Sequence, residues 1–216
     1  MTSMYETIME LPLFKGLGAE QLSLMLEKTS VEFLNFDPGT IIHEESKNVK
    51  VIDFILKGKV GRTFKMSNPS IQMEEIIGEG CVLGASHLFG LHTRYWANTE
   101  AKEKTSLMRI TKHDYRNILL SDEIYLMNFM NYLSAAAQRP GKLALSTPSN
   151  SISSFLQLII VSLVSPMAES ISFNATDEDM ARFCGVKISE WTEWKEAVVE
   201  SGSIFSEKNK IIISKQ

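Results

Sequence analysis

The chain has 216 residues, of which 44% are hydrophobic and 22% charged, and its formal net charge is −4 at pH 7. This length and apolar content are enough for one medium and one small hydrophobic core. The negative balance excludes a globally basic nucleic-acid-binding protein, so any contact with nucleic acid has to come from local lysines. The longest apolar run is too short to span a bilayer and the first residues lack the apolar stretch of a secretion signal, so we expect a cytoplasmic protein without membrane contact.

The cysteines and histidines do not form a pattern typical of a metal site. Cys81 and Cys184 stand alone in apolar surroundings, which favours buried free thiols over a disulfide, a metal centre or an iron–sulfur cluster. The histidines also lack the paired spacing of metal ligands, and we expect them at the surface or lining a pocket. No metal and no identified cofactor is therefore expected. The histidines are His43, His87, His92 and His113.

The first 30 residues are predicted to be helical, with Leu22, Met25 and Leu26 on one face. From Val31 the pattern changes to short β-prone runs that are separated by turn residues such as Asp37-Pro38-Gly39. Many short strands at this spacing predict an antiparallel barrel or jelly roll. The predicted strands are Val31–Phe36, Thr40–His43, Val51–Leu56, Lys59–Met66, Ile71–Ile77 and Thr105–Ile110.

A helical period returns after Thr111, which with Asp114 forms a predicted capping box. The long helix that follows has a wide apolar stripe, which favours either a symmetric second copy as its partner or burial against the protein's own barrel. Arg139-Pro140-Gly141 is predicted to break this helix. The stripe consists of Ile124, Met127, Met130, Leu133 and Ala137, with Leu126, Phe129 and Ala136 beside it.

The C-terminal part begins after a Ser/Pro/Asn-rich joint at 146–154, and its first apolar run, Phe155–Val164, is predicted to be a buried helix. These changes of pattern divide the chain into three parts. Residues 1–119 form the predicted β-roll, residues 120–145 the long helix and hinge, and residues 146–216 a smaller C-terminal domain.

Residues 176–194 have the pattern of two short helices joined by a tight turn. Thr176 with Asp179 forms a capping box that starts the first helix, and Gly185 lies where the chain has to turn. The second helix is predicted over roughly residues 188–200. Apolar residues at helical spacing supply the packing between the two helices: Met180, Ala181, Cys184, Val186, Trp191 and Trp194.

A short hairpin is predicted directly after these helices, because Ile204-Phe205 and Ile211–Ile213 flank the polar loop 206–210. A simple helical hairpin would explain the apolar spacing, but it would not explain the capping box, the turn glycine and the trailing strands together. The combination favours a winged helix-turn-helix, in which the second helix enters the major groove of DNA.

The order of these parts, together with five segments of sequence, resembles the Crp/Fnr family of bacterial transcription regulators over nearly the whole chain. The resemblance implies an α+β protein with a jelly-roll, cyclic-nucleotide-binding-like β-roll and flanking helices, a long dimerisation helix, and a C-terminal winged helix-turn-helix. The segments are LPLFKGL (11–17), DPGTIIHEES (37–46), DFILKGKV (53–60), IIGEGCVLG (76–84) and the helix-turn-helix itself.

By this resemblance Gly84 opens the loop that binds the cyclic phosphate in family members, and Arg94 has the spacing of the arginine that pairs with it. The alternative for Arg94 is a solvated or salt-bridged strand residue. Ala85 stands where the family has the glutamate that binds the ribose, and Tyr95 and Trp96 replace small residues. We therefore do not expect cyclic AMP to bind, and an unidentified small anionic ligand remains a candidate. The candidate ligand-binding residues are Gly84, Ala85, Ser86, Arg94, Tyr95 and Trp96.

The predicted DNA-reading helix also departs from the family's best-studied branch, because Ile188, Ser189 and Glu193 occupy the positions of its base-reading side chains. From residue 147 onward the chain has nine acidic and six basic residues, and this net charge of −3 does not favour phosphate binding. The acidic row of Glu193, Glu196 and Glu200 is interpreted as a solvated helix face. The candidate DNA-binding residues are Thr176, Lys187, Ser189, Glu190, Glu193, Lys195, Lys208 and Lys210.

The leading hypothesis from the sequence is a homodimeric transcription regulator whose β-roll senses a small ligand and whose winged helices bind a pseudo-palindromic site on double-stranded DNA. RNA polymerase is a further candidate partner. The second hypothesis is a ligand-binding or protein-interaction module on the same scaffold that has lost specific DNA binding. An enzyme is not expected, because no nucleophile with its base, no paired carboxylates and no nucleotide-hydrolase phosphate loop are found.

Overall fold

The chain forms two compact units. The first unit contains the residues up to Val60 together with Gly78–Ala137, and the second contains Gly61–Ile77 and the residues from Gln138 onward. The chain therefore enters the second unit once for a short excursion, returns, and enters it again within the long helix, at Gln138. The computed structural model describes residues 4–146, 151–202, 204–207 and 209–214.

The first unit is built from antiparallel strands covered by helices. Its strands are β1 (Val31–Phe36), β2 (Ile41–His43), β3 (Val51–Lys57), β6 (Val82–Leu83), β7 (Asn98–Ala101) and β8 (Thr105–Thr111). Strands β1, β8, β3 and β6 form one sheet in that order, and β2 pairs with β7. Its helices are α1 (Met4–Met9), α2 (Ala19–Lys28), α3 (Ala85–Leu88), α4 (Lys112–Ser121) and the first part of α5 (Glu123–Ser146).

The core of the first unit lies between this sheet and helices α1, α2, α4 and α5. Phe54 of β3 is fully buried and contacts Phe14 and Tyr115, whose ring also packs edge-on against Phe129 of α5. Burying each of these large side chains contributes roughly 1.5–3 kcal/mol of stability. Thr111 caps α4 as predicted, because its hydroxyl accepts a hydrogen bond from the backbone N–H of Asp114 at 3.1 Å.

The second unit contains strands β4 (Val60–Lys65), which begins in the first unit, β5 (Gln72–Ile77), β9 (Ser170–Asn174), β10 (Phe205–Glu207) and β11 (Lys210–Ser214). Its helices are α6 (Ile152–Leu163), α7 (Asp177–Cys184) and α8 (Ile188–Glu200). The strands form a sheet in the order β10, β11, β9, β5, β4, in which β9 pairs antiparallel with β11 on one side and with β5 on the other.

The predicted strands are confirmed, since a strand is present at each of the six runs with ends that agree within one residue. Sequence reasoning missed β6, β7 and β9. Strands β6 and β7 are too short or too polar to stand out by alternation. Strand β9 has the sequence SISFN, which alternates for only five residues, and it is stabilised by partners on both sides that no local pattern identifies.

The predicted break at Arg139-Pro140-Gly141 is wrong, because α5 continues through Pro140 to Ser146. Proline removes one backbone donor, so the helix loses the hydrogen bond to the carbonyl of Ala136. Its fixed φ is nevertheless compatible with a helix, and the helix formers on either side allow the chain to continue. Arg139 also holds this part of α5, since its Nη1 donates a hydrogen bond to Val164 O at 2.9 Å.

The apolar run 155–164 forms a helix as predicted, but the prediction that this helix is buried is only partly right. In α6 only Leu156 is buried, whereas Leu158 is 39% exposed. One of its contacts is that of Phe155 with Phe183 of α7, at 5.2 Å between ring centroids. Among the described residues, no helix combines the length and the apolar character that crossing a membrane requires.

Candidate functional site

The loop that the sequence singled out as a ligand site begins at Gly84, between β6 and α3. Gly84 has φ +84°, and a Cβ atom at this position would lie 2.9 Å from the carbonyl oxygen of Val51. Glycine is therefore required both for the left-handed backbone and for the close approach of the loop to β3. The carbonyl of Gly84 accepts a hydrogen bond from the N–H of His87 and so closes the single turn of α3.

The predicted ligand residues of this loop do not converge on one point. Ala85 is buried in the hydrophobic core, whereas Ser86 and Trp96 are exposed. Arg94 is also exposed, and its Nη1 donates a hydrogen bond to the carbonyl of Ser46 at 3.4 Å. Its guanidinium is thus held at the surface by the chain between β2 and β3.

Tyr95 is the aromatic member of this set that points inward. Its ring stacks on His43 with centroids 4.2 Å apart, and its Cε1 lies 3.8 Å from the position of a Cβ on Gly84. The Tyr95 hydroxyl is buried, and none of the residues that the structure describes forms a hydrogen bond with it. Burial, with the nearby charge of Asp53, raises the pKa of Tyr95, so the phenol stays neutral. The tyrosine ring therefore occupies the space directly beside the glycine of the loop.

Beneath Tyr95 lies a cluster of charged side chains that sequence reasoning missed, which we call the Asp53 cluster: Asp53, His43 and Arg109. Asp53 Oδ1 and Oδ2 accept hydrogen bonds from Arg109 Nε and Nη2, both at 2.7 Å, and His43 Nε2 lies 2.8 Å from Oδ2. Burial by itself raises the pKa of Asp53, but the donors and charges of Arg109 and His43 outweigh it and hold the pKa below its ordinary value of 3.8.

The Asp53 cluster stabilises the roll and is poorly suited to acid–base chemistry, because its carboxylate is already bound by two partners. The pairing of β3 with β8 places Asp53 opposite Arg109. The signal available in the sequence was a carboxylate inside the apolar strand VIDFILK, which requires a buried partner. What the sequence could not supply was the identity of the strand that faces it.

In the second unit, α7 and α8 are joined by a turn at Gly185, which has φ +70°. The Thr176 hydroxyl accepts a hydrogen bond from Asp179 N–H at 3.1 Å, so the predicted cap of α7 is confirmed. Trp191 and Met180 are fully buried between the helices. The hairpin of β10 and β11 follows α8 directly, and the predicted bounds of α8, 188–200, are those observed.

The predicted DNA-contacting lysines differ in whether the ammonium group is already bound to a carboxylate. Lys195 Nζ contacts both carboxylate oxygens of Asp177, which also accepts a hydrogen bond from Trp191 Nε1 at 2.8 Å. This ion pair lowers the pKa of Asp177 even though burial opposes the shift. Lys187 is exposed at the start of α8, and Lys208 lies outside the described residues.

The exposed face of α8 is acidic. Over residues 187–200 the cations are Lys187 and the paired Lys195, whereas four glutamates are exposed: Glu190, Glu193, Glu196 and Glu200. Ser189 is exposed as well, and Ile188 is 46% exposed. The face on which base contacts were predicted therefore has more negative than positive charge.

The β4–β5 hairpin extends the sheet of this region, because β5 pairs with β9 from Gln72 opposite Asn174 to Ile76 opposite Ser170. At the hairpin tip, Asn68 Nδ2 donates a hydrogen bond to Asp179 Oδ1 of α7 at 3.2 Å. An open cleft of about 550 Å³ lies here. Two predicted DNA-binding residues, Thr176 and Lys210, line it together with Ser70, Asp179 and Glu207.

Helix α5 has an exposed apolar stripe that is available for a partner. Leu126 is 38%, Met127 43% and Met130 51% exposed, whereas Phe129 on the opposite side is buried in the core. Leu133 is half-buried and packs against that core. The predicted stripe is therefore divided between the protein's own core and the surface.

Neither cysteine forms a disulfide within the part of the chain that the structure describes, and Cys81 is buried whereas Cys184 is half-buried. Burial raises the pKa of Cys184 to about 11, so this thiol is a poor nucleophile at neutral pH. Within the described residues, no three His, Cys, Asp or Glu side chains are grouped as a metal site requires.

Comparisons with known proteins identify the fold. Residues 33–122 match the sequence model of the cyclic nucleotide-binding domain. The catabolite activator protein of Thermus thermophilus is 19% identical, the match covers 94% of this chain and 93% of that chain, and the TM-score is 0.54. The sensor domain of the transcriptional regulator DNR from Pseudomonas aeruginosa is 18% identical, with 61% and 91% covered and a TM-score of 0.51.

A third similar structure is the N-terminal domain of a transcriptional regulator from Streptomyces coelicolor A3(2), which is 18% identical, with 67% of this chain and 99% of that chain covered and a TM-score of 0.51. A sequence search of curated proteins finds no match. The protein thus contains a cyclic-nucleotide-binding-type domain and has a fold like that of the Crp/Fnr regulators, while identities this low say nothing of ligand or DNA sequence.

Proposed function

We propose that the protein is a homodimeric, DNA-binding transcription regulator of the Crp/Fnr type. The observation that carries the proposal is the arrangement of α7, the Gly185 turn, α8 and the β10–β11 hairpin after a cyclic-nucleotide-binding-type domain. In this proposal residues 1–119 sense a ligand, 120–145 dimerise and 146–216 bind DNA. Ligand binding biases α5, which alters the spacing of the two α8 helices in the dimer.

Dimerisation rests on the exposed stripe of α5. Apolar side chains at 126, 127 and 130 are followed at helical spacing by the small exposed residues Ser134 and Ala137, which allow a second α5 to approach closely. Met130→Asp places a charge in this seam and is expected to convert the dimer to a monomer. Light scattering tests the proposed dimerisation, with Asn131→Asp, a substitution at an exposed neighbouring residue, as the control. A wild-type protein that is monomeric at tens of micromolar would contradict dimerisation through α5.

DNA contact rests on few cations. Lys187 at the start of α8 and Lys210 of β11 are assigned to phosphates, together with Thr176 at the N-terminus of α7 and Lys208, which follows β10 in the sequence. Lys195 is assigned an indirect role, because its ion pair with Asp177 links α8 to α7. Ser189, Glu190 and Glu193 face the bases, and a glutamate there accepts a hydrogen bond from cytosine N4.

Selection of DNA from a random pool with the full chain, followed by fluorescence anisotropy on the selected site, tests the DNA contact. Lys187→Ala is expected to weaken binding and to reduce the slope of log affinity against log salt by about one, the value for a single phosphate. Lys28→Ala removes an exposed lysine from α2 and serves as the matched control. Equal affinity and equal slope for the two variants would contradict the docking.

The ligand of the roll is not expected to be cyclic AMP. Ala85 is buried in the core and offers no acceptor to a ribose, Tyr95 occupies the space beside Gly84, and Arg94 is held at the surface by Ser46. Cyclic AMP should therefore leave the thermal midpoint unchanged, whereas a true ligand at a hundred times its Kd stabilises a fold by about 2.7 kcal/mol. Stabilisation by cyclic AMP that Arg94→Ala abolishes would contradict this part of the proposal.

A second candidate function is a protein-interaction module that has lost DNA binding, and the acidic face of α8 favours it. Four exposed glutamates repel phosphates and fit a basic partner. The selection of DNA from a random pool distinguishes the two candidate functions, because a protein-interaction module is expected to retain no DNA at low salt. Enrichment of a two-fold symmetric sequence is the outcome expected for a DNA-binding regulator.

A further inference from the structure

A cavity of about 420 Å³ in the first unit has an unusual concentration of positive charge. It lies where the end of β8 leads into α4, beside the residue before β3 and the residue after α3. We call it the Lys112 cavity, and its volume falls within the range of about 300–1,000 Å³ that is typical of small-molecule sites. It is lined by Lys50, Phe89, Thr111, Lys112, His113 and Arg116.

The charges of the Lys112 cavity are not neutralised by the protein. Among the described residues, Lys50, Lys112 and Arg116 form no ion pair with a carboxylate. The acidic side chain nearest in sequence, Asp114, does not line the cavity, and its Oδ2 accepts a hydrogen bond from the Thr111 hydroxyl at 2.8 Å. Like charges brought together without a counter-charge lower stability, which favours the binding of an anion that compensates them.

We propose that the Lys112 cavity binds a small organic phosphate. Three permanent cations suit a phosphate monoester or diphosphate, which has about two or more negative charges, better than a carboxylate with one. The planar guanidinium of Arg116 binds two phosphate oxygens at once, and the lysines add point charges. The cavity is larger than a bare phosphate ion requires, so the ligand has an organic part as well.

The floor of the cavity connects it to α5. Lys112 Nζ lies 5.2 Å from the ring centroid of Phe89, a cation–π contact, and the Phe89 ring packs edge-on against Phe129 of α5 at 5.8 Å. A phosphate that draws Lys112 toward itself weakens this cation–π contact. Its effect on α5 rests on the proposed regulator function, whereas the binding itself does not.

Isothermal titration of the full chain with AMP, glucose 6-phosphate and pyrophosphate tests the proposal, with chloride and sulfate at matched ionic strength as reference salts. AMP or glucose 6-phosphate should bind with one site per chain, and more tightly than pyrophosphate, which lacks the organic part. Arg116→Gln and Lys50→Gln should each weaken that binding about tenfold or more, since each removes a charge-assisted hydrogen bond. Lys28→Gln, which removes an exposed lysine of α2, should leave it unchanged.

Two further measurements, thermal unfolding of the variants and a parallel titration with random-sequence duplex DNA, keep these outcomes distinct. The unliganded Arg116→Gln and Lys50→Gln variants should unfold at the wild-type temperature or higher, because they relieve repulsion, so weaker binding by a folded variant reports on the cavity. Equal binding by Arg116→Gln and wild type, loss of binding in Lys28→Gln, or heat released only by the DNA would each overturn the proposal. Failure of DNA selection leaves the titration unaffected, and the two proposals therefore fail separately.

Discussion

A carboxylate is completely buried in each of the two units, and the two groups are bound in different ways. Asp53 in the first unit accepts two hydrogen bonds from Arg109 and contacts His43. Glu75 in the second unit contacts Arg62 at 2.5 Å and accepts one hydrogen bond from Ser165 N–H at 2.7 Å. Asp53 therefore has two ionisable partners in contact, and Glu75 has one.

This difference determines the direction of the pKa. Burial raises the pKa of both carboxyl groups, and for Asp53 the surrounding donors and charges more than offset it. For Glu75 burial is the largest effect, and the charge of Arg62, the Ser165 N–H and the more distant Arg139 offset it only in part, so its pKa lies above the ordinary value of 4.5. Two equally buried carboxylates are thus held with opposite preferences for the proton.

The largest effect is expected from Asp53→Asn. The substitution removes the charge that neutralises the partly buried Arg109 and leaves that guanidinium without its bidentate acceptor. Breaking a buried ion pair on one side costs about 3–5 kcal/mol, and the free energy of unfolding should fall by that amount. Denaturant unfolding measures it, with the exposed Asp37→Asn as control. A decrease no larger than that of the control would mean that the Asp53 cluster does not stabilise the roll.

A smaller effect is expected from acid. Because the folded pKa of Asp53 lies below 3.8, its contribution to stability is complete above pH 3.8 and is lost as the pH falls through the folded pKa. The wild-type protein should therefore lose stability steeply below pH 3.8, and Asp53→Asn should lack this component. Parallel curves for the two proteins in this range would be inconsistent with a lowered pKa.

The smallest effect is expected from Glu75→Gln. Glutamine keeps an acceptor for Ser165 N–H, and Arg62 still donates to Leu163 O. The substitution also removes the buried charge whose desolvation raises the pKa of Glu75, so the change at neutral pH should be within about 1 kcal/mol. Since the folded pKa is above 4.5, the folded state binds the proton more tightly than the unfolded state. Wild-type stability relative to Glu75→Gln should therefore rise as the pH is lowered through the folded pKa toward 4.5.

The pH dependence of Glu75→Gln unfolding also provides a check on the comparison between the two carboxylates. If the stability of wild type relative to Glu75→Gln decreases as the pH is lowered from neutral to 4.5, Glu75 behaves like Asp53. The number of donors is then not what distinguishes the two sites. Denaturant titrations at half-unit pH steps resolve the sign.

Local features of the sequence were enough to predict most of the elements. The caps at Thr111 and Thr176, the left-handed turn at Gly185 and the bounds of α8 each depend on residues within four positions of one another. Alternation identified six strands for the same reason, because it is a property of consecutive residues. The exception was Pro140, whose local preference was overridden within α5.

The composition of the candidate sites was decided by the tertiary structure. Asp53 meets Arg109 across 56 positions, and β5 pairs with β9 although about a hundred residues separate them. Lys195 was predicted to contact phosphate from its position in α8, but the packing of α8 on α7 places it against Asp177. Periodicity predicts which face of an element is buried, and only the packed structure determines which distant side chain lies opposite that face, because a contact between remote residues depends on all the elements that bring them together.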